Sequence, residues 1–481
     1  MPGRRRLPRS APEEQGVDPR ALRSLVDALA GWPELHSLMV VRHGAVVAEG
    51  WSAPFAPDRL HELYSLSKSF TSTAVGFAVA EGLLSVDDLV VDHVPVPGGA
   101  DGNLARMRIR HLLTMTTGHA EDPTTVVYDS DDWVAEFLAQ PVVHEPGTYF
   151  VYNTAGTFML SAIVQKVTGQ RLLDYLGPRL LEPLGIEGAV WQQSPDGVDV
   201  GGSGMSATTE DIAVFGQVYL QGGVWRGEQV VPAQWVADAT RVQVPNAGNP
   251  DVDWAQGYGY QFWRGRHDSY RGDGAFGQFC VVLPEQDLVV AITSGVADMH
   301  AQLALVWDHL LPGLSDDAVP ADDAGRALLA DALGRLRLVP PTGSPTSPTG
   351  ERLSGQTITF EPNDLGIRNA VLEVGAEHDR LTVDHGDETV IVLVGHDEPA
   401  LTRSTLRRRD PEDVLVSGTW ASDDTYVLTA RFVESPFVLT ATATVTEDDV
   451  VVGSRMSVAF GPTDFPTLRG SVVVTEEVWV G

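Results

Sequence analysis

Residues 64–71 read YSLSKSFT and open a long apolar pattern that predicts a helix over about residues 66–81. Ser65 and Lys68 lie three positions apart, a spacing that places both side chains on one face of a helix. A serine hydroxyl is a weak nucleophile until a base removes its proton, and a neutral lysine amine can be that base. The start of a helix also presents backbone N–H groups that stabilise a developing oxyanion. The stretch therefore predicts Ser65 as a nucleophile activated by Lys68.

The same stretch also fits an N-cap serine followed by a solvated lysine, because the pattern Ser-x-x-Lys often occurs by chance. Lysine usage argues against that interpretation. Of the 33 basic residues, 31 are arginine and only Lys68 and Lys166 are lysine. Arginine keeps its proton in proteins, whereas a lysine among apolar side chains can titrate near neutral pH. Lys166 lies in the last turn of a predicted helix, where a cation suits the helix dipole, so Lys68 is the lysine predicted to do chemistry.

A tyrosine precedes a second predicted helix in residues 146–156, which read PGTYFVYNTAG. Tyr152 stands where a phenol can reach into a cleft and relay a proton between Ser65, Lys68 and a leaving group. The alternative is an aromatic residue of the core. In the company of Ser65 and Lys68, Tyr152 is predicted to be the third catalytic residue.

A glycine-rich segment, residues 270–278, reads YRGDGAFGQ and leads into a predicted strand. Glycines let a backbone approach a substrate closely, and the N–H of Ala275 is a candidate second donor to an oxyanion. The letters also satisfy G-x-G-x-x-G. A dinucleotide-binding fingerprint follows a strand and opens a helix, whereas this segment opens a strand, so that function is excluded.

Three other candidate motifs are rejected after inspection of their residues. Residues 201–205, GGSGM, lack the final glycine of a G-x-S-x-G nucleophile elbow. Residues 61–65, HELYS, have serine where a zincin has its second histidine. Residues 129–132, DSDD, are explained more simply as an acidic helix start than as a calcium loop. No metal site is predicted.

The order of predicted elements indicates an α+β fold followed by an all-β domain. Strands near the N-terminus and between residues 257 and 294 enclose a series of helices, which predicts one sheet built from distant segments. Residues 340–350, PPTGSPTSPTG, have the composition of a linker. Alternating apolar strands beyond it predict a sandwich or barrel. The predicted organisation is a domain over 1–338, a linker over 339–350 and an all-β domain over 351–481.

The composition limits the partners and the compartment. The net charge is −32, from 65 acidic and 33 basic residues, and such a surface repels nucleic-acid phosphates and anionic lipids. No stretch approaches the ~20 apolar residues of a membrane span. The single cysteine, Cys280, excludes an intrachain disulfide and fits a reducing compartment. No apolar segment of a signal peptide follows the basic start MPGRRRLPRS. We expect a cytoplasmic protein that acts on a small molecule, with its oligomeric state left open.

The three elements occur in one order, and with them the chain resembles the β-lactamase-related serine hydrolases. This family includes class C β-lactamases, DD-peptidases, family VIII esterases and the CubicO-type group. The similarity covers roughly residues 8–314 and extends to the blocks IRHLLTMTTGHAED, VGGSGMSATTEDIAVFG and GAFGQFCVVLPEQDLVVAITSG. The resemblance implies an antiparallel sheet flanked by helices, with a helical subdomain beside it. It also implies Ser65 as the acylated nucleophile, Lys68 and Tyr152 as the proton-transfer pair, and the N–H groups of Ser65 and Ala275 as the oxyanion hole, without metal or organic cofactor.

The chain departs from the family at its second motif. Where the family usually has Tyr-x-Asn, this chain has Tyr152 followed by Asn153 and Thr154. The amide that would contact the substrate is displaced by one residue, as in a branch of the CubicO-type proteins. Asn153 and Thr154 are therefore both candidates for substrate contact.

The third motif departs as well. Where the family has Lys-Thr-Gly or His-x-Gly, this chain has Gly272, Asp273 and Gly274. The cation that would bind the carboxylate of a β-lactam is missing, and Asp273 is expected to repel that carboxylate. Arg271 is adjacent, but neighbours in a strand face opposite sides. Asp273 and Gly274 are candidates for substrate contact.

These observations predict a serine hydrolase that cleaves a small ester, amide or peptide bond through an acyl-enzyme. Two alternatives lie within the same class, a true β-lactamase and an amidase of the D-amino-acid or aminohexanoate type. A third belongs to another class: a catalytically silent protein whose all-β domain binds a ligand or partner. The intact set of Ser65, Lys68 and Tyr152 argues against the silent protein.

Overall fold

The computed structural model describes residues 6–473, apart from positions 33, 95, 97–98, 247, 249–250, 387 and 408–410. The chain divides into two compact units. The first consists of the residues up to 294 together with 298–336, and the second of residues 295–297 together with those from 337 onward. The domain limits at 338 and 351 remain predictions.

An antiparallel sheet of six strands lies at the centre of the first unit, in the order β2-β1-β11-β10-β9-β8. β1 pairs with β11, which comes from the far end of the unit, so the expectation of a sheet built from distant segments is confirmed. The strands described in this unit are β1 (Leu35–Arg42), β2 (Ala45–Trp51), β3 (His61–Glu62), β4 (Val190–Trp191), β5 (Met205–Ala207), β6 (Val224–Trp225), β7 (Glu228–Gln229), β8 (Trp263–Arg264), β9 (Tyr270–Gly274), β10 (Gln278–Leu283) and β11 (Leu288–Ser294).

Helices flank this sheet and fill the long connection between its strands. A 3-10 turn, Tyr64–Leu66, leads directly into the helix that carries Lys68. The α-helices described in this unit are α1 (Pro19–Ala30), α2 (Ser67–Ala80), α3 (Val90–His93), α4 (Ile109–Leu113), α5 (Thr124–Tyr128), α6 (Trp133–Ala139), α7 (Thr154–Thr168), α8 (Leu172–Leu176), α9 (Glu182–Leu184), α10 (Thr209–Leu220), α11 (Ala233–Thr240), α12 (Met299–Leu305) and α13 (Asp323–Gly334).

The sheet is covered on both faces, and its strands are therefore buried at almost every position. In β1, Leu38 and Val40 belong to an apolar cluster with residues of α1, α12 and α13. Their neighbours Met39 and Val41 belong to the cluster on the other face, with residues of α2 and α10. Because successive side chains of β1 point to opposite faces, β1 contributes to both apolar clusters. The second of these clusters includes the residues of α2.

The predicted strand over residues 257–263 is wrong for most of its length. Only Trp263 and Arg264 pair with β9 as β8. The preceding residues turn back on another loop, because Tyr258 forms a bridge with Val244 and the N–H of Tyr260 donates to the carbonyl of Ala239. These backbone groups are thereby satisfied outside the sheet.

The second unit is a closed β-barrel of ten antiparallel strands, in the order β15-β14-β13-β12-β21-β20-β19-β18-β17-β16. A parallel bridge between Gly395 and Ser417 joins β15 to β17 and closes it. Of the two predicted architectures, sandwich and barrel, the structure has the barrel. The strands are β12 (Thr357–Phe360), β13 (Asn369–Glu373), β14 (His378–Asp384), β15 (Thr389–Gly395), β16 (Ala400–Ser404), β17 (Glu412–Ser422), β18 (Thr425–Phe432), β19 (Val438–Thr446), β20 (Asp449–Met456) and β21 (Leu468–Val473).

The segment that the composition predicts as a linker contacts the barrel. The backbone groups of Ser344 and Trp420 exchange hydrogen bonds of 2.8 and 2.9 Å. Ser347 then caps helix α14 (Pro348–Leu353) by accepting from the N–H of Gly350 at 2.9 Å. Within the described part of the chain, no helix has both the length and the apolar character needed to cross a bilayer.

Candidate active site

Ser65 lies in the 3-10 turn that precedes α2, at the point where the chain changes direction. Its neighbour Tyr64 has a φ of 49°, in the left-handed region that non-glycine residues seldom adopt. The turn is held on both sides, because Leu63 donates its N–H to the carbonyl of Met205 at 2.8 Å and Leu66 donates to Leu63 at 3.1 Å. The helix predicted over about residues 66–81 begins at Ser67, so Ser65 lies in the turn that precedes it. The strained turn is of the kind that clusters at functional sites.

Lys68, in the first turn of α2, is 1% exposed. Its Nζ lies 3.0 Å from Ser65 Oγ, 3.1 Å from Thr154 Oγ1 and 2.6 Å from the carbonyl oxygen of Gly202. An ammonium donates to all three oxygens. A neutral amine donates to two of them and directs its lone pair at the third. The geometry therefore accommodates a neutral Lys68 that donates to Thr154 and Gly202 and accepts from the Ser65 hydroxyl.

The surroundings of Lys68 favour the neutral amine near pH 7. Burial lowers the pKa of Lys68 to about 7, and the carboxylates of Asp122 and Asp273 oppose that shift. The shift arises because a charge removed from water loses its solvation, and two carboxylates restore only part of it. At neutral pH a large fraction of Lys68 can accept a proton.

Tyr152 lies beside this pair. Its ring stacks on Trp263 with centroids 5.2 Å apart, and Lys68 Nζ lies 4.9 Å from the centroid of the Tyr152 ring. A hydrogen bond joins the phenol to Ser65, but burial outweighs it and raises the pKa of Tyr152 well above its ordinary value. Tyr152 is therefore a neutral phenol at pH 7, able to donate a proton and unsuited to be the first base.

Asn153 and Thr154 have different positions relative to the site. The Asn153 side chain is the N-cap of α7: it accepts from the N–H of Gly156 at 2.7 Å and donates to Thr117 Oγ1 at 3.1 Å. It is 0% exposed, so its amide is occupied within the protein. Thr154 instead contacts Lys68. Of the two candidates for substrate contact, Thr154 alone adjoins the Ser65–Lys68 pair.

The two glycines of β9 face the turn that holds Ser65. A Cβ on Gly272 would overlap Leu66, and a Cβ on Gly274 would overlap the carbonyl oxygen of Leu63. Any larger residue at these positions would push β9 away from the turn. Ala275 follows directly, in the tight connection between β9 and β10. The site is thus bordered by the end of β9, where the sequence predicts an oxyanion donor.

Arg271 and Asp273 form an ion pair, which changes the expectation for Asp273. Two residues apart on one strand, they share a face, and Arg271 Nε donates to Asp273 Oδ2 at 2.9 Å. The Arg271 guanidinium also donates to the carbonyl of Asp253 at 3.0 Å and stacks over Trp254 at 4.3 Å. Burial raises the pKa of Asp273, although the guanidinium opposes the shift. A ligand carboxylate here would meet a paired carboxylate rather than the bare repulsive charge that the sequence suggested.

Two residues beside Lys68 were not predicted as site residues. Gly202 belongs to the segment 201–205, which was rejected as a nucleophile elbow, and also to the block VGGSGMSATTEDIAVFG of the family resemblance. A Cβ on Gly202 would lie 2.6 Å from the carbonyl oxygen of Thr154, so glycine lets its backbone reach Lys68. Asp122 is the last residue of the block IRHLLTMTTGHAED. Their places in these blocks were the available signals, but neither block showed which of its residues would lie near Lys68.

The residues of the other rejected motifs have structural roles of their own. His61 is buried against His36 at 2.9 Å, and burial lowers its pKa to about 3. Asp132 caps α6 by accepting from the N–H of Ala135 at 2.9 Å. The G-x-G-x-x-G letters form the hairpin of β9 and β10. Among the described residues, no group of three or more His, Cys, Asp or Glu side chains is placed to hold a metal ion.

Comparison with known proteins identifies the family of the chain. The Beta-lactamase family matches residues 22–308, more than half of the chain. A 6-aminohexanoate-dimer hydrolase of Paenarthrobacter ureafaciens is 29% identical over 312 residues, covering 60% of this chain and 79% of that protein. Penicillin-binding protein 4 of Amycolatopsis lactamdurans is 28% identical over 329 residues, covering 59% of this chain and 83% of that protein. The crystal structure of SurE shares the fold, with a TM-score of 0.51 at 18% identity over 94% of this chain and 99% of SurE. The chain therefore belongs to the Beta-lactamase family, a family of hydrolases.

Proposed function

We propose that this protein is a serine hydrolase that cleaves a small ester, amide or peptide bond through an acyl-enzyme on Ser65. Lys68 is the base that activates Ser65, and Tyr152 is the proton donor to the leaving group. The observation that carries the proposal is the amine of Lys68, 3.0 Å from Ser65 Oγ, with a pKa lowered by burial to about 7. A base is most effective when its pKa lies near the working pH.

Acylation begins when Lys68 takes the proton of Ser65 as Oγ bonds to the carbonyl carbon of the substrate. The carbonyl oxygen becomes an oxyanion, for which the N–H groups of Ser65 and Ala275 are the proposed donors. The bond to the leaving group then breaks, and the leaving group takes a proton from Tyr152, which Lys68 reprotonates. Water then attacks the acyl carbon as Lys68 takes its proton, and Lys68 returns that proton to Ser65 Oγ as the bond to the acyl group breaks and the acid is released.

The pKa values support this division of roles. The pKa of Lys68 lies at about 7, whereas that of Tyr152 is raised above its ordinary value. At pH 7 the amine can accept a proton and the phenol cannot. Thr154 and Gly202 accept hydrogen bonds from the amine, which directs the remaining lone pair toward Ser65.

The Arg271–Asp273 pair bears on the substrate class. A β-lactam carries a carboxylate, whereas the Arg271 side chain is 0% exposed, with Nε engaged by Asp273 and Nη1 by the carbonyl of Asp253. This supports a neutral ester, amide or peptide over a β-lactam. The named activity of the Paenarthrobacter relative is hydrolysis of an aminohexanoate dimer, so an amidase remains the alternative within the class.

Labelling with a biotinylated fluorophosphonate tests the proposal directly, because this probe reacts with activated serines. We expect one label on each chain, located at Ser65 by peptide mass spectrometry and absent from Ser65→Ala. Ser67→Ala is the matched control: Ser67 is buried two residues away and accepts from the N–H of Met205 at 3.2 Å. It should keep its label.

A folded wild-type protein that takes no label would contradict the proposal and favour the silent binding protein. Panels of esters, D-amino-acid peptides and β-lactams, each run against Ser65→Ala, then identify the substrate class. An activity that survives in Ser65→Ala cannot arise from the proposed site.

A further inference from the structure

The interior of the barrel in the second unit is apolar and is not filled by side chains. It holds a cavity of about 410 Å³. Small closed barrels either fill their interior with side chains or hold one small ligand. Ligand pockets range from about 300 to 1,000 Å³, and an apolar cavity of about 150 Å³ suffices for benzene. The barrel interior is therefore large enough for a molecule of two or three rings, or for a flexible chain.

The cavity follows from the alternation of residues along the strands. In β19, Leu439, Ala441, Ala443 and Val445 line the cavity, and the threonines between them face the other side, since successive residues of a strand point in opposite directions. Alanine at two consecutive inward positions leaves space that leucine or valine would fill. Leu439, Ala441 and Ala443 remain half-buried and in contact with the apolar cluster of the barrel.

The polar side chains among the described lining residues are few: His385, Trp420, Tyr426 and Ser454. Tyr426 lines the cavity and donates its hydroxyl to Asp379 at 2.7 Å. His396 pairs with the same carboxylate at 3.0 Å, and the N–H of Gly375 donates to it at 3.2 Å. Among the described residues, the lining contains no Asp, Glu, Lys or Arg. A charged ligand would lose its solvation without gaining a partner.

We propose that the barrel of the second unit binds one uncharged, apolar small molecule, such as a fatty alcohol or an aromatic compound of two or three rings. Such a ligand would cover apolar surface that half-buried residues now expose, which is the main driving force for binding in a pocket of this kind. The site lies wholly within residues 353–468 and does not depend on Ser65. Its occupancy is therefore separate from the proposed hydrolysis.

Fluorescence titration with N-phenyl-naphthylamine, an uncharged dye of two fused rings and a phenyl group, tests the proposal on the full chain. We expect saturable binding of one dye per chain and its displacement by decanol. The dye should bind equally to Ser65→Ala and to protein already labelled with fluorophosphonate, because every described residue lining the cavity belongs to the second unit, whereas Ser65 belongs to the first.

Filling the cavity should abolish this binding. In Ala441→Leu/Ala443→Leu, the added side chains occupy the ligand volume, and affinity should fall by roughly tenfold or more, as expected when several apolar contacts are lost. Thr442→Leu is the matched control, since it places the same side chain on the outer face of β19, and it should bind within about twofold of wild type. Circular dichroism and melting curves establish that each variant is folded. If the double variant does not fold, the two single variants replace it, each expected to weaken binding in proportion to the volume filled.

Two outcomes would overturn the proposal. One is the absence of saturable dye binding to folded wild-type protein. The other is equal affinity in the wild type, the cavity-filling variants and Thr442→Leu. Binding that fluorophosphonate labelling removes would place the dye at the active site and would equally exclude the barrel.

Discussion

Replacing Lys68 by arginine separates a base from a fixed positive charge. With a pKa of about 7, roughly half of the lysine is neutral at pH 7, whereas an arginine with a pKa above ~12 has a neutral fraction below about 10⁻⁵. If Lys68 supplies only charge near the oxyanion, the variant should keep much of the activity. If Lys68 removes the proton of Ser65, the variant should lose it.

The expected loss is about a hundred- to ten-thousandfold in kcat/KM, the usual contribution of general-base catalysis. That range corresponds to roughly 3–5 kcal/mol of transition-state stabilisation. The assay is hydrolysis of the best ester of the panel between pH 5 and 9. For the wild type, kcat/KM should rise with pH through about 7, because deprotonation of Lys68 creates the base. The arginine variant should show no such rise.

The chain supplies its own control, since the only other lysine is Lys166, exposed in the last turn of α7. Lys166→Arg makes the same chemical change outside the site and should leave kcat/KM within about twofold, as is usual for surface substitutions. Because Lys68 is buried against Gly202, a folding defect must be separated from a catalytic one. Lys68→Ala, assayed with added methylamine, separates the two. If the small amine restores activity, the variant is folded and lacks only the base, and no bulky guanidinium is involved.

A folded Lys68→Arg that keeps more than about a tenth of the wild-type kcat/KM, a loss below ~1.4 kcal/mol, would refute the assignment of Lys68 as base. A wild-type profile that stays flat through pH 7 would refute it independently. Tyr152→Phe would then be the next variant to measure.

Asp122→Asn removes a carboxylate that favours the protonated form of Lys68, so the pKa of Lys68 should fall and the acid limb of kcat/KM should move to lower pH. Glu121→Gln, which changes the neighbouring acid, should leave the acid limb in place. An unmoved acid limb in Asp122→Asn would contradict the predicted effect of Asp122 on the pKa of Lys68. Short acyl esters should be hydrolysed about ten- to a hundredfold more efficiently than penicillins or cephalosporins, because Arg271 is buried and already paired with Asp273, so it cannot bind the carboxylate of a β-lactam. Nitrocefin turnover equal to that of the best ester would refute this. Truncation after residue 338 should leave a folded 1–338 fragment, because the residues up to 294 and 298–336 form one compact unit, and a fragment insoluble under every condition would show that the two predicted domains fold as one.

Local signals in the sequence identified the elements that carry the site. The apolar pattern after Ser65 predicted a helix over 66–81, and α2 extends over Ser67–Ala80. The alternation beyond residue 351 predicted the all-β unit, although the pattern cannot distinguish a barrel from a sandwich, because closure depends on a pairing between β15 and β17. Inward and outward positions alternate identically in both architectures.

The roles of individual polar residues were harder to predict. Asn153 has the residue type expected for substrate contact, yet its side chain caps α7, and Asp273 is paired with Arg271. In each case another group in the folded chain satisfies the side chain first, since buried polar atoms take whatever partner the packing brings within reach. The sequence alone does not give the distances between these side chains and their partners.

By itself the sequence determined what spacing and composition govern: the placement of Ser65 and Lys68 three residues apart, the apolar helix around them, the order of strands and helices, and the shortage of lysine. These depend on neighbours along the chain, whose geometry the backbone period dictates. Only the tertiary structure decided which distant groups surround Lys68. The carbonyl of Gly202 and the hydroxyl of Thr154 lie 134 and 86 positions away, and the burial that lowers the pKa of Lys68 to about 7 comes from segments packed around α2. Desolvation is a property of the whole core and not of any motif, because it depends on how completely the fold removes water from the amine.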